Sequence, residues 1–230
     1  AVMALTLLPP LRRAKVPLAF RPDFRHPAVR QLRRLSGWAL GYVLANQVAI
    51  VVVQNLLVRS GEGNQTSYFN AYTFFVLPHG LLAMSIATTF LPEMSRAVTD
   101  KDRPRFIARS SLGIRLVALL TVPAGFGLFV LRRPVIGLAL QHGEFTADDA
   151  LLASRALAGF ALGLGAFSVY LFVLRAFYAH QDARTPCLVN VVENALNIAL
   201  AFVLYDRFGV IGISASFAIA YTVPALWALQ

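Results

Sequence analysis

Polar side chains recur at helical spacing within the apolar stretch from residue 185 to residue 205. Asn190, Glu193 and Asn197 follow one another after three and four residues, so they share one face of a helix. An ionisable group inside an apolar segment is costly and normally faces a bundle interior, a partner or water. The pattern predicts either an ion, proton or substrate site, or a buried hydrogen-bonded cluster that holds helices together.

A second polar group lies in the apolar stretch from residue 35 to residue 58. Its members are Asn46, Gln47, Gln54 and Asn55. Residues seven and eight apart return to nearly the same face of a helix, so the four side chains form a stripe about two turns long. The stripe either lines an aqueous cavity, with Gln47 and Gln54 as candidate transport residues, or bonds to a neighbouring helix.

The run Pro78-His79-Gly80 predicts a helix break, because proline removes a backbone hydrogen bond and glycine disfavours a helix interior. An unperturbed histidine titrates near neutral pH, so His79 could relay protons; the alternative is a structural hydrogen-bonding role. Thr73, which lies nearby, joins His79 among the candidate cavity residues.

One short segment, from His142 to Asp149, gathers a histidine with several acids. Thr146 followed three residues later by Asp149 fits the start of a helix better than a metal site. The sequence contains no phosphate-binding glycine motif, nucleophile elbow, zincin helix or paired-carboxylate arrangement. We therefore predict neither an enzyme, nor a metal site, nor a cofactor.

These residues lie in a chain that is too apolar to present a water-facing surface. Hydrophobic residues make up 57% of the 230 residues and charged residues 14%, against about 45–50% and about 25% in soluble domains. The net charge of +10 does not point to nucleic acid, because the basic residues border apolar stretches, where membrane topology places them. One cysteine excludes an intramolecular disulfide.

Six apolar stretches are long enough to cross a hydrocarbon core of about 30 Å. They are residues 35–58, 63–92, 110–131, 151–174, 185–205 and 208–230. The prediction is an all-α integral membrane fold, with a six-helix lobe over residues 37–230. Gly159 and Gly163 have the spacing that lets two membrane helices approach closely.

The basic residues predict the orientation of the lobe. Residues 1–10 read as the end of a preceding membrane helix, and residues 11–36 as a basic loop. The alternate connections 11–36, 96–109 and 175–184 carry fifteen Lys and Arg residues, against four in the other connections. The positive-inside rule places the first set, including the loop 11–36, in the cytoplasm.

Three segments, in this order and at this spacing, resemble the MurJ (MviN) family of lipid II flippases. They are LPHG at 77–80 followed by SIATTFLPEMS at 85–95, LALQHGEFT at 138–146, and RAFYAHQDARTP at 175–186. The resemblance implies one lobe, helices seven to twelve, of a two-lobe, fourteen-helix transporter of the multidrug/oligosaccharidyl-lipid/polysaccharide exporter superfamily.

The resemblance also implies a function. It is translocation of lipid II, the lipid-linked peptidoglycan precursor, to the outer leaflet of the bacterial plasma membrane by alternating access. The expected partners are lipid II, membrane lipids, the first lobe and cell-wall synthesis proteins. The alternatives are export of another lipid-linked saccharide or a drug, and a scaffold for cell-wall synthesis.

The chain departs from the family pattern at two positions. Thr73 stands where many members carry an arginine. Some members bind a cation through an asparagine and an acid four residues later; Asn197 matches the asparagine, but Ala201 stands at the position of the acid. The resemblance therefore does not imply that cation site in its usual form.

Overall fold

The computed structural model describes residues 27–143 and 145–227, and over these residues the fold is entirely helical. The helices are α1 Pro27–Arg59, α2 Asn64–Pro78, a π-helical turn His79–Ala83, α3 Met84–Thr99, α4 Arg103–Leu140, α5 Ala147–Leu162, α6 Leu164–Ala179, α7 Arg184–Phe208 and α8 Val210–Trp227. The all-α prediction is confirmed. The predicted helix end at 1–10 lies outside the described residues, as does the predicted loop 11–36 up to residue 26; residues 27–36 belong to α1.

The predicted membrane spans correspond one for one to helical segments. Within the described part of the chain, five segments are long and apolar enough to cross a membrane: Leu32–Arg59, Asn64–Thr99, Arg103–Leu140, Arg184–Phe208 and Val210–Trp227. The remaining predicted span, 151–174, coincides with the pair α5 and α6, which are long and apolar enough when taken together and meet at an angle of 52°. Large apolar side chains cover the outside of the bundle, and Leu138, for example, is 82% exposed. Such a surface suits contact with lipid.

The predicted break at Pro78-His79-Gly80 is wrong, because the helix continues through this point as a π-helical turn. The N–H of Met84 donates to the carbonyl oxygen of His79, five residues earlier. A local change of helical period keeps backbone groups hydrogen-bonded near a proline, which the interior of a membrane requires.

The bend between α5 and α6 was not predicted, and it lies at Gly163. A Cβ atom on Gly163 would lie 2.6 Å from the Cβ of Ala218 in α8, and one on Gly159 would lie 2.2 Å from the Oγ of Ser214. Neither position can hold a side chain without moving α8. The predicted close approach of helices at Gly159 and Gly163 is confirmed.

Aromatic rings fill the core between α2, α5, α6 and α8. The ring of Phe75 stacks on that of Phe160, with centroids 5.3 Å apart, and Phe167 and Phe217 lie 5.2 and 5.6 Å from it. Tyr221 packs on Phe217 at 4.5 Å. A second apolar cluster, which includes Met94, Val117 and Phe172, joins α3, α4 and α6.

The start of α5 has the predicted cap. The Oγ1 of Thr146 accepts the backbone N–H of Asp149 at 3.2 Å, and the carboxylate of Asp149 accepts the backbone N–H of Thr146 at 3.0 Å. This reciprocal pair satisfies two N–H groups that the first turn of a helix leaves free.

Candidate functional site

A cavity of about 180 Å³ lies between α1, α2, α7 and α8. Its lining combines polar side chains from α1 and α7 with aromatic rings from α2 and α8. The polar members are Asn46, Gln54, Glu193, Asn194 and Asn197, and the aromatic members are Tyr68, Phe69, Tyr72, Phe217 and Tyr221. Amide, carboxyl and phenol groups therefore line one cavity.

Glu193 is the acid of this cavity, and its side chain is 1% exposed. Its Oε2 accepts a hydrogen bond from the Nδ2 of Asn190 at 3.4 Å. Its Oε1 is buried with no hydrogen-bond partner among the described residues. An acid in this state departs from the rule that buried polar groups are paired, so its environment requires an explanation.

Asn190 connects the acid to α1. The Nδ2 of Asn46 donates to the Oδ1 of Asn190 at 3.3 Å, and the same nitrogen donates to the carbonyl of Tyr42 at 3.0 Å. Two further contacts between α1 and α7 lie near the start of α7. The guanidinium of Arg184 lies 5.8 Å from the ring of Trp38. Gly41 approaches Cys187, to whose Sγ a Cβ on the glycine would be 3.1 Å distant.

Asn197 connects α7 to α8. Its Oδ1 accepts a hydrogen bond from the Oγ of Ser216 at 2.9 Å. The Nδ2 of Asn194 donates back to the carbonyl of Asn190 at 2.9 Å. The polar face of α7 therefore both lines a cavity and ties helices together, so the two interpretations of this face are not exclusive.

The remaining candidate residues lie in different places. Gln54 is half-buried and lines the cavity, whereas Gln47 is exposed and lies outside the cavity lining. Thr73 is exposed on α2, and its hydroxyl donates to the carbonyl of Phe69 at 3.0 Å.

His79 is separated from the cavity. It is buried, its Nδ1 lies 2.9 Å from the Oγ of Ser168, and its ring packs edge-on against Phe167 at 4.8 Å. It belongs to the aromatic core between α2 and α6.

Sequence reasoning missed Asn194 and all the aromatic residues of the lining. A signal for the rings was present, since Tyr68 and Tyr72 are four residues apart, as are Phe217 and Tyr221. Side chains four residues apart share a helix face.

The residues of this cluster do not fit the cation site that the resemblance implies for some members of the family. The amide oxygens of Asn190 and Asn197 already accept hydrogen bonds from Asn46 and Ser216. Ala201 is fully buried in the apolar core and offers no oxygen. The described residues also hold no group of three or more His, Cys, Asp and Glu side chains placed to bind a metal. Hard cations favour sites with several oxygen ligands that include carboxylates, and in the described lining Glu193 is the one carboxylate.

Comparison with known proteins decides the family. A sequence model described as "Lipid II flippase MurJ" matches residues 2–230. The chain belongs to the MurJ family. A probable lipid II flippase MurJ of Rhizobium meliloti (strain 1021) is 27% identical to it over 216 residues, which cover 94% of this chain and 40% of the relative. The lipid II flippase MurJ of Thermosipho africanus (strain TCF52B) is 30% identical over 159 residues, which cover 69% of this chain and 32% of the relative.

Solved structures agree with the MurJ assignment. A lipid II flippase MurJ in an inward closed conformation superposes with a TM-score of 0.75 at 27% identity, over 82% of this chain and 40% of that one. An outward-facing multidrug resistance transporter of the MATE family gives a TM-score of 0.72 at 15% identity, over 86% of this chain and 43% of that one. The second likeness shows the fold alone.

The chain thus spans less than half the length of the MurJ relatives it matches. Its apolar helices and its membership of the MurJ family make it a multi-pass protein of the bacterial inner membrane.

Proposed function

We propose that this chain forms the second lobe of a lipid II flippase, which moves lipid-linked peptidoglycan precursor from the cytoplasmic to the outer leaflet. The observation that carries the proposal is the cavity lined by polar and aromatic side chains in a bundle whose exterior is apolar, in a chain of the MurJ family. The head of lipid II is large and polar and bears a diphosphate, so it cannot cross hydrocarbon without such an interior path.

In this proposal the second lobe acts together with a first lobe, and the substrate head passes between them while the lipid tail stays in the bilayer. Rocking of the two lobes exposes the path to one side of the membrane and then to the other. In this proposal the segment 11–36, of which residues 27–36 belong to α1, lies on the cytoplasmic side, because the positive-inside rule places the basic connections there. Cell-wall synthesis proteins are the proposed partners that supply and consume the lipid.

The face of α7 that carries Asn190, Glu193 and Asn197, together with Gln54 of α1, supplies the cavity residues of this lobe. Gln47, Thr73 and His79 remain proposed transport residues outside the cavity lining. A growth test addresses the central pair: the full-length protein carrying Glu193→Ala and Asn197→Leu should fail to support cell growth when it replaces the wild type. Normal growth at normal protein level would exclude a transport role for the two residues.

The decisive experiment measures the transported lipid. The full-length protein is depleted in its host, and an added lipid II-cleaving enzyme reports how much lipid II is accessible at the outer leaflet. We expect accessible lipid II to fall while total lipid II is held or rises. Unchanged accessibility, in a host without a second flippase, would contradict the proposal.

The MATE-like fold leaves a second candidate, export of another lipid-linked saccharide or of a drug. The same depletion separates the candidates, because an exporter of another compound would leave lipid II accessibility unchanged and alter the distribution of that compound. A scaffold for cell-wall synthesis would instead lower total peptidoglycan synthesis without changing the distribution of lipid II between leaflets.

A further inference from the structure

Glu193 lies at the boundary between two spaces. On one side it lines the cavity between α1, α2, α7 and α8. On the other it lines an apolar groove of about 460 Å³ between α7 and α8, together with Leu188, Val192, Val223 and Trp227. Those four residues are each about half exposed or more on the outside of the bundle, where lipid is expected. Glu193 therefore lies between the cavity and the lipid-facing groove, with its own side chain almost fully buried.

Among the described residues, the surroundings of Glu193 do not provide a positive charge. The titratable side chains around it are all phenols, which come from four helices: Tyr42 of α1, Tyr68 and Tyr72 of α2, Tyr170 of α6 and Tyr221 of α8. No salt bridge in the described part of the chain involves Glu193. A buried carboxylate without a counter-charge is strongly disfavoured, so this group requires a bound cation or a proton.

The hydrogen-bond pattern selects between a metal cation and a proton. Asn190 presents its N–H donor, not its oxygen, to Glu193, and the oxygens of Asn190 and Asn197 each accept a hydrogen bond, from Asn46 and Ser216. A donor N–H cannot ligate a metal ion. A proton, by contrast, needs only the free Oε1 of the carboxylate.

We propose that Glu193 is a proton-binding site, loaded through the cavity, and that loading and unloading it is a step of the transport cycle. In loading, a hydronium ion in the cavity transfers its proton to a carboxylate oxygen, which leaves water and a neutral carboxylic acid; unloading is the reverse. The coupling to transport rests on the proposed flippase function, whereas the proton site does not.

The site is tested first by chemical labelling of the full-length protein in its membrane. Dicyclohexylcarbodiimide is lipophilic and reacts with protonated carboxylic acids. The acid proton passes to a carbodiimide nitrogen while a carboxyl oxygen bonds to the central carbon, and rearrangement leaves a stable N-acylurea with no group lost. We expect mass spectrometry to find the adduct on Glu193, with labelling that falls several-fold as the pH rises.

The controls use matched acids. Glu93 is half-exposed and its Oε2 lies 3.0 Å from the Nε of Arg109, so it should remain unlabelled. Glu193→Gln should abolish the adduct, and Glu193→Asp, which keeps a carboxyl group, should retain it. Infrared spectroscopy of the same samples should show the C=O band of a protonated carboxylic acid that Glu193→Gln removes.

Two results would overturn the proton site. One is the combination of two negative findings: the wild type carries no adduct on Glu193, and the Glu193→Gln variant keeps the whole protonated-acid band in its infrared spectrum. The other is protection from labelling by sodium ions at constant pH, which would assign the site to a metal cation.

The coupling has a separate readout. In the wild type, lipid II accessibility should depend on external pH, and in Glu193→Gln that dependence should flatten. An unchanged pH dependence in a variant that has lost the protonated-acid band would overturn the coupling alone. Failure of the wild type to move lipid II would contradict the proposed function and leave the proton site standing.

Discussion

Two buried polar groups in the spanning helices have opposite surroundings. His79 has a hydroxyl partner, Ser168, at 2.9 Å and an aromatic ring against its edge. Glu193 has one long hydrogen bond, one free oxygen, and cavities on two sides. We call the first region, between α2, α5, α6 and α8, the sealed core, and the second, between α1, α2, α7 and α8, the open cavity. The contrast teaches that, of these two groups, Glu193 is the one whose surroundings leave room for a ligand or a proton.

The open cavity exists only if α1 packs against α7, and a crosslink between the two helices can test this contact. A Cβ on Gly41 would lie 3.1 Å from the Sγ of Cys187, and the corresponding distance in a disulfide is about 3.0 Å for an S–S bond of about 2.05 Å. We expect Gly41→Cys to form a disulfide with Cys187 in most molecules after mild oxidation, as detected by mass spectrometry of the joined peptides.

Gly37 provides the control for this crosslink. It lies about one turn earlier on α1, and no described residue outside its own helix comes within 4 Å of its Cβ position. Gly37→Cys should not crosslink to Cys187. Equal yields for the two variants would show that α1 does not lie on α7 as described, and the open cavity would lose one wall.

Within the sealed core, the largest expected loss of stability comes from Phe75. It is fully buried against four other rings, so Phe75→Ala should lower the free energy of unfolding by about 3–5 kcal/mol. Phe69 on the same helix lines the open cavity and is 39% exposed. Phe69→Ala should therefore cost much less. Thermal unfolding of the purified full-length variants gives the comparison, and equal losses would remove the distinction between the two regions.

A smaller loss of stability is expected from disturbing the contact of α5 with α8. Gly159→Val places atoms where Ser214 and the backbone of Ala215 lie, so it should cost about 1–3 kcal/mol through overpacking. Gly127→Val on α4 meets no atom within 4 Å at its Cβ position and should be close to neutral. The shift in unfolding temperature of each variant measures the two effects. If Gly159→Val left the unfolding temperature unchanged, α5 and α8 would not be in close contact.

The smallest expected effect is a coupling energy. A double-mutant cycle of His79→Ala and Ser168→Ala should yield about 0.5–1.5 kcal/mol, the value of one buried hydrogen bond. The same cycle on Asn190 and Glu193, whose atoms are 3.4 Å apart beside a cavity, should yield less. A larger coupling energy for Asn190 and Glu193 than for His79 and Ser168 would contradict this expectation and favour a structural role for Glu193.

The features that the sequence predicted correctly are those with local causes. Span positions follow from the length of apolar stretches, the start of α5 from Thr146 and Asp149, and the close helix contact from Gly159 and Gly163. Each depends on residues that are near one another in the chain. Hydropathy and side-chain size at fixed spacing were therefore sufficient.

Features that depend on neighbouring helices were not predictable in the same way. At Gly163 the chain bends where it meets Ala218 of α8, a neighbour that the local stretch does not specify. At Pro78 the residues indicated a disturbance of the helix but not that a π-helical turn would carry the chain through it. The polar stripe of α1 shows the limit for the site. Measured around the helix from Asn46, which faces the cavity, Gln54 lies at about 80° and Gln47 at about 100°. Of these two glutamines, Gln54 lines the cavity and Gln47 does not. The neighbouring helices α2, α7 and α8 decide how far around α1 the lining extends.

The length of α4 has a consequence for the membrane itself. Its 38 residues rise about 57 Å, nearly twice the hydrocarbon thickness of about 30 Å. Arg115 is exposed on this helix, and Arg132 stacks its guanidinium 4.7 Å from the ring of Phe129. The 17 residues from one arginine to the other rise about 26 Å, and the helix between them exposes Leu119, Val122, Phe126 and Val130. The two charges therefore define a preferred bilayer thickness, and a thicker membrane would thin around α4 or draw the arginines inward at a cost in free energy.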